Sequence, residues 1–177
     1  MLYAALIHWP CIDKNGEEIA TAITNLDLHD LARVCLTYGI NTLYIVHPND
    51  VQLAFAERIM NHWLKGYGGE YNPVRKKALE VISLVKDIED IKRQTGAYMV
   101  GTSAARMDGC ISWEQARTIA SAKDVCLVFG TGWGIAPRLL KSLDAVLEPI
   151  DAGTGFNHLS VRSAVSITID RIAGGGV

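Results

Sequence analysis

Three segments crowd together the residue types that hold a small polar ligand. They are Val100-Gly101-Thr102-Ser103-Ala104, Phe129-Gly130-Thr131-Gly132-Trp133-Gly134-Ile135, and the longer Ile150–Ser160 stretch, IDAGTGFNHLS. Each follows an apolar run of strand length. Glycines at alternate positions let a backbone approach another group more closely than a Cβ allows. Hydroxyl and amide side chains beside them supply hydrogen bonds. In open α/β sheets, ligands sit beyond the carboxyl ends of the strands. One such loop says little, but three at successive strand ends indicate a nucleotide-like ligand gripped largely by backbone groups.

The common nucleotide motifs do not account for these loops. Gly130, Gly132 and Gly134 are not GxGxxG, because Ile135 stands where the third glycine belongs, and they fall late in the chain. No GxxxxGK[ST] occurs, which argues against a P-loop. Glu148 resembles a ribose-binding acid but follows the glycines too closely for a dinucleotide fold, and Pro149 comes next. A serine hydrolase is the other chemistry on offer. Ser103 follows a strand in a near-elbow, with Asp144 or Asp151 and then His158 in serine–acid–histidine order, although Ala105 stands where the elbow's last glycine belongs.

The elements that must carry these loops alternate between strand-length apolar runs and helix-period segments. Strands are expected at Leu2–His8, Thr42–Val46, Leu79–Val85, Ala97–Val100, Val125–Phe129 and Ala145–Leu147. Helices are expected through LHDLARVCLTYG, capped by Asn25 or Asp27 and ended near Gly39, and over Val51–Lys65, Ile88–Gln94, Trp113–Ser121 (capped by Ser112), Arg138–Lys141 and Leu159–Ile172. The last of these is expected to fray into the terminal GGGV. GYGGEYNPVRKK reads as a glycine-rich, basic, tyrosine-bearing linker, and His62-Trp63 before it as core packing. Strands that are apolar throughout belong to a parallel sheet covered by helices on both faces. The fold class is therefore α/β, in one domain over residues 1–177.

Of 177 residues, 49% are hydrophobic and 20% charged, and 17 basic residues face 19 acidic ones for a net charge of −2. That balance excludes a chain that grips nucleic acid with its whole surface, so any such partner meets a local patch. The four cysteines form no CxxC pair, and three lie in apolar or helical contexts, which fits free thiols in a reducing compartment. His8-Trp9-Pro10-Cys11 has ligand-like spacing without a second pair to answer it, so no metal is expected. No run approaches the ~18 apolar residues of a membrane span. MLYAALIH lacks a basic leader and reads as a first strand, and a cytoplasmic location without membrane partners is expected.

The segments VGTSAA, LVFGTGWGIAP and LEPIDAGTGFNHLSVRSAVSI resemble, in order, the three cofactor loops of SPOUT-class RNA methyltransferases. TAITNLDLHDLARVCLTYGI and HWLKGYGGEYNPVRKKAL are similar to a small bacterial family within that class. The resemblance covers nearly the whole chain. It implies a C-terminal trefoil knot, S-adenosyl-L-methionine as cofactor, a homodimer with the pocket near its interface, and an RNA substrate met by both subunits. It further implies a cofactor site built from Thr102, Ser103, Phe129, Gly130, Gly132, Trp133, Gly134, Ile135, Ile150, Asn157, His158, Leu159, Ser160 and Ser163. There the glycines admit the backbone to the adenosyl group, Ile135, Ile150 and Leu159 pack on the purine, and Asn157 and Ser160 satisfy polar edges. Plain helix capping is the alternative for those two.

Methyl transfer needs the acceptor atom about 3 Å from the sulfonium methyl and a route for one proton, and no metal. The candidates are Asn25, Asp27, Asp30 and Arg33 on the first helix, with Arg106 and Asp108 after the GTS loop. Arg33 sits in the context that handles substrate in this class, with Asp30 and Asn25 beside it, while the asparagine of the ribose-methylating pattern is displaced. An i, i+3 ion pair is the alternative for Asp30 and Arg33. Arg162 suits a phosphate, the methionine carboxylate or a salt bridge equally. Arg75, Lys76 and Lys77, following Tyr67 and Tyr71, are the RNA-contact candidates, joined by Arg106. A protein that binds the cofactor and acts as an RNA or protein adaptor without turnover is the second reading.

Overall fold

Six apolar runs lie side by side in one parallel sheet, as described for residues 1–174 by a computed structural model. In chain order the elements are β1 (Leu2–Ile7), the short strands β2 (Cys11–Ile12) and β3 (Glu18–Ile19), α1 (Asn25–Thr37), β4 (Leu43–Val46), α2 (Asp50–Leu64), α3 (Tyr67–Tyr71) and α4 (Pro73–Leu79). They continue with β5 (Ile82–Val85), α5 (Ile88–Thr95), β6 (Tyr98–Gly101), α6 (Trp113–Ala122), β7 (Val125–Gly130), α7 (Pro137–Leu140), β8 (Ala145–Val146) and α8 (Val161–Ala173). The expected fraying into Gly175-Gly176-Val177 lies outside the described residues.

The sheet runs in the order β5-β4-β1-β7-β6-β8, with β2 and β3 as a separate antiparallel pair. β1 pairs with β7 from Leu2 opposite Val125 to Ile7 opposite Gly130, so the glycine loop leaves the sheet at its centre. Ala4 and Leu6 face a core shared with Leu28, Leu31, Ala116, Val165 and Ile169. Ala5 and Ile7 face the opposite core, with Ile88, Ile91, Leu139 and Leu140. Because both faces are buried, the central strands are apolar at every position, as the sequence pattern requires.

Helix phases follow from apolar spacing. In α1, Leu28, Leu31, Ala32 and Cys35 are buried, one stripe at helical period. Its cap is Thr24, not Asn25 or Asp27. The Thr24 hydroxyl accepts from the Asp27 N–H, which draws Asn25 into the first turn and commits Asp27 to the buried face. Gly39 takes a φ of +73° after the helix, as expected. Ser112 caps α6 in a reciprocal box with Gln115.

The segment read as a linker is helical. Asn72 caps α4, with Pro73 in its first turn, and α3 and α4 fold back on α2. Gly68 and Gly69 permit this, since a Cβ at Gly69 would lie 2.1 Å from the Trp63 carbonyl oxygen. The third core strand therefore starts at Ile82 instead of Leu79. His62, expected in the core, is exposed and lies edge-on to the half-buried Trp63.

Candidate functional site

A cleft of about 710 Å³ opens at the carboxyl ends of β6 and β7. The three loops singled out in the sequence form most of its wall. Thr102 and Ser103 follow β6, Gly130–Ile135 follow β7, and Ile150 with Asn157–Ser160 close it from the segment before α8. Of the expected cofactor residues, Phe129 and the rest of these line the cleft, and Ser163 does not; its side chain meets Ser160 Oγ, the cap of α8. Asn157 donates from Nδ2 to the Ala104 carbonyl at 2.7 Å, which ties the third loop to the first.

All three glycines are required by the chain itself, two by close approach and Gly134 by its backbone angle alone. A Cβ at Gly130 would lie 2.6 Å from Ile135 Cγ1 and N. Gly132 has a φ of +61°, and its Cβ would stand 3.0 Å from the Ile12 carbonyl oxygen. The close approach that sequence reasoning assigned to a ligand is here made first by the loop's own backbone. Gly134, at φ +121°, has open space around it.

The β2–β3 hairpin supplies a wall that sequence reasoning missed. Ile12, Thr21 and Ala22 line the cleft opposite the glycine loop, and Trp133 N–H donates to the Ile12 carbonyl at 3.0 Å. The signal was present as Asn15-Gly16, a hairpin dipeptide, with Gly16 at φ +82° and Asp13 accepting from the N–H groups of Asn15 and Glu17. Thr131 Oγ1 donates to the Ile7 carbonyl at 3.0 Å and also meets Thr21 Oγ1, which in turn meets His8 Nδ1 at 2.9 Å. His8 is 1% exposed, and its Nε2 has no hydrogen-bond partner among the described residues. Burial, and then the neighbouring His47, bring its pKa down to about 4. A neutral imidazole thus underpins the glycine loop.

Two carboxylates reach the cleft. Asp27, 7% exposed, accepts from Thr24 Oγ1 at 2.6 Å, and Arg162 Nη1 lies 3.5 Å from its other oxygen. Glu148 accepts from the Trp113 N–H at 2.9 Å, at the start of α6, and pairs with Arg106 at 3.3 Å. Asn25, Asp30 and Arg33 do not line the cleft. Arg33 pairs with Asp30 at 2.9 Å on the outer face of α1, and Arg162 bridges Asp30 to Asp27. The bland alternative for each of these three charged residues is therefore present. Arg75 sits over the Trp63 ring at 5.0 Å and does not line the cleft; exposed Lys77 and the stacked Tyr67 and Tyr71 belong to the same segment.

The donor set fits an adenosyl cofactor. Apolar side chains (Ile135, Leu147, Leu159, Met107) and hydroxyls share the wall, and Asp27 and Glu148 place negative charge where a sulfonium or amino group would be stabilised. Ser103 has its hydroxyl turned to the Ala105 N–H at 3.1 Å, a local turn contact.

The parallel sheet, with a cleft walled by the three loops, agrees with the SPOUT class that the loop sequences resemble. The family of SAM-dependent RNA methyltransferases matches residues 1–174, and the chain belongs to it. Over 98% of its length it is 42% identical to a tRNA (guanine-N(1)-)-methyltransferase of Nitratidesulfovibrio vulgaris, of which it covers 42%. An uncharacterized protein of Aquifex aeolicus is 40% identical over 97% of the chain, which covers 87% of it. The solved TrmH/SpoU tRNA modifying enzyme of A. aeolicus superposes with a TM-score of 0.60 at 15% identity, over 98% of this chain and 73% of that one, a likeness of fold. The chain thus spans less than half the length of the guanine methyltransferase relative it matches.

Proposed function

We propose that this protein transfers a methyl group from S-adenosylmethionine to a nucleotide of tRNA, working as a knotted homodimer in the cytoplasm. The single observation that carries the reading is the cleft formed by all three loops at one edge of the sheet. The family supports the cofactor and RNA. The guanine methyltransferase relative supports tRNA, although its name describes a chain more than twice as long. Among the described residues no helix is long and apolar enough to cross a membrane. The strand order supports the knot. The chain leaves central β7, reaches edge strand β8 beyond β6, and returns through residues 150–160 to lay α8 against α1, α6 and β7.

Bound in this cleft, the cofactor supplies an electrophilic methyl on a sulfonium. The residues around it do the rest. The glycine loop, braced by Thr131, and the apolar wall orient the adenosyl moiety and exclude water. Asp27 is the carboxylate suited to accept the proton of the acceptor N–H or O–H, held by Thr24 and Arg162. Arg33, turned away from its own cleft by Asp30, is available to RNA shared between subunits, and Arg75, Lys76 and Lys77 to its phosphates.

The test is calorimetric titration with S-adenosylmethionine and S-adenosylhomocysteine, followed by methyl transfer to unmodified tRNA. Binding with turnover is expected. Asp27→Asn lowers kcat by roughly 10²–10⁴-fold while leaving cofactor affinity within a few fold. Cofactor binding without transfer to any RNA would instead favour the adaptor.

A further inference from the structure

Three large side chains at the mouth of the cleft are left in solvent: Trp133 is 63% exposed, Phe156 72% and Leu159 46%. His158 joins Trp133 and Phe156 in a continuous row. The Trp133 and His158 rings lie 6.1 Å apart, and those of His158 and Phe156 5.4 Å apart, edge to face in both pairs. Trp133 and His158 line the cleft, whereas Phe156 continues the row outside it.

The backbone under these rings is tied down. Trp133 N–H donates to Ile12, Gly134 N–H to Thr131, and Asn157 bonds Ala104. The rings are thus presented on anchored loops. An exposed apolar row at the edge of a ligand cleft marks a binding surface more often than a packing accident.

We infer that Trp133, His158 and Phe156 form the stacking platform for the unpaired nucleobase that receives the methyl group. The inference rests on the reading of the cleft as the cofactor site and adds where the RNA base lies. An acceptor atom must come within about 3 Å of the transferable methyl, so the base must enter by the mouth these rings flank. Atoms of a paired, stacked base are out of reach, and a base taken out of its stack is stabilised on aromatic side chains. Every base has a π-face, so such a platform holds the nucleotide without choosing its identity. Selection would then fall to the polar groups deeper in the cleft, Asp27 among them.

The experiment uses the full chain saturated with S-adenosylhomocysteine, and fluorescein-labelled oligoadenylate and oligouridylate of about ten nucleotides, the span of a typical single-strand site. Fluorescence anisotropy reads RNA affinity, calorimetry reads S-adenosylhomocysteine affinity, and sedimentation reads the oligomeric state. Trp133→Leu and Phe156→Leu are expected to weaken both RNAs by about ten-fold or more, with Trp133→Tyr restoring most of the loss. In Phe156→Leu, whose ring lies outside the cleft, S-adenosylhomocysteine affinity and oligomeric state stay as in the parent chain. Unchanged RNA affinity in both leucine variants, with S-adenosylhomocysteine still bound, overturns the platform alone. Failure of the parent chain to bind either RNA does the same. A change of oligomeric state in the leucine variants assigns the rings to a second copy and overturns it as well. Failure of the parent chain to bind S-adenosylhomocysteine overturns the reading of the cleft, and the platform with it.

Discussion

Replacing His8 by glutamine removes one ionisable group from the centre of the molecule while keeping a partner for the Thr21 hydroxyl. In the native chain the ring is buried, one nitrogen meets Thr21, and the other has no partner among the described residues. A second proton would leave a charged ring with an unpaired N–H in the core. The native pKa of about 4 stands against 6.5 for the unfolded chain, so between those values the unfolded state binds more protons and stability falls as pH falls. The full loss is complete by about pH 4. At pH 5 linkage assigns ~2 kcal/mol of it to this one group, and at pH 7 almost none. With a urea slope of about 2 kcal/mol per molar, the parent midpoint should drop by ~1 M more than that of His8→Gln on going from pH 7 to pH 5. His29 and the carboxylates are common to both proteins and cancel in the difference. Because Thr21 and Thr131 connect His8 to the glycine loop, S-adenosylhomocysteine affinity of the folded parent chain should hold down to pH 5 and weaken as pH approaches 4, where the native ring itself takes up a proton. Parallel acid profiles, with midpoints falling equally, would refute the argument that a neutral His8 braces this loop.

The glycine loop and the basic segment can be tested separately. Gly132→Ala puts a side chain at a φ of +61° and against the Ile12 carbonyl, at a cost of about 1–2 kcal/mol. Thermal melts should fall by roughly 2–4 °C for each kcal/mol, with weaker cofactor binding. An unaltered melt and affinity would show that the hairpin moves aside freely. Removing Arg75, Lys76 and Lys77 together should flatten the dependence of log tRNA affinity on log salt by ~0.7–0.9 for each phosphate no longer neutralised, with S-adenosylhomocysteine binding unchanged. An equal slope would return the segment to the role of a solvated face.

Much of this molecule is written locally. Apolar runs with no polar alternation mark buried parallel strands, Ser112 and Gln115 mark a helix start, and the three loops announce a cleft because glycines and hydroxyls recur at strand ends. Other local signals compete. Thr24, Asn25 and Asp27 are all good caps, and the choice of Thr24 rotates Asp27 inward and leaves Asp30 and Arg33 on the outer face. GYGGEYNP looks like a linker by composition, but its glycines serve a close approach to Trp63 that only the packed helices reveal.

The amino-acid order alone determined the fold class, the six core strands and the longer helices, and the loops that line the cleft, because these depend on periodicity and short-range chemistry. Tertiary structure decided which distant groups meet. Thr21 touches Thr131 across 110 positions because β7 inserts next to β1, and the same pairing sets the β2–β3 hairpin against the glycine loop. Strand order is a property of the whole sheet, since each parallel strand offers the same apolar edge to any neighbour. The partners of a loop at its end therefore emerge only when the sheet is complete.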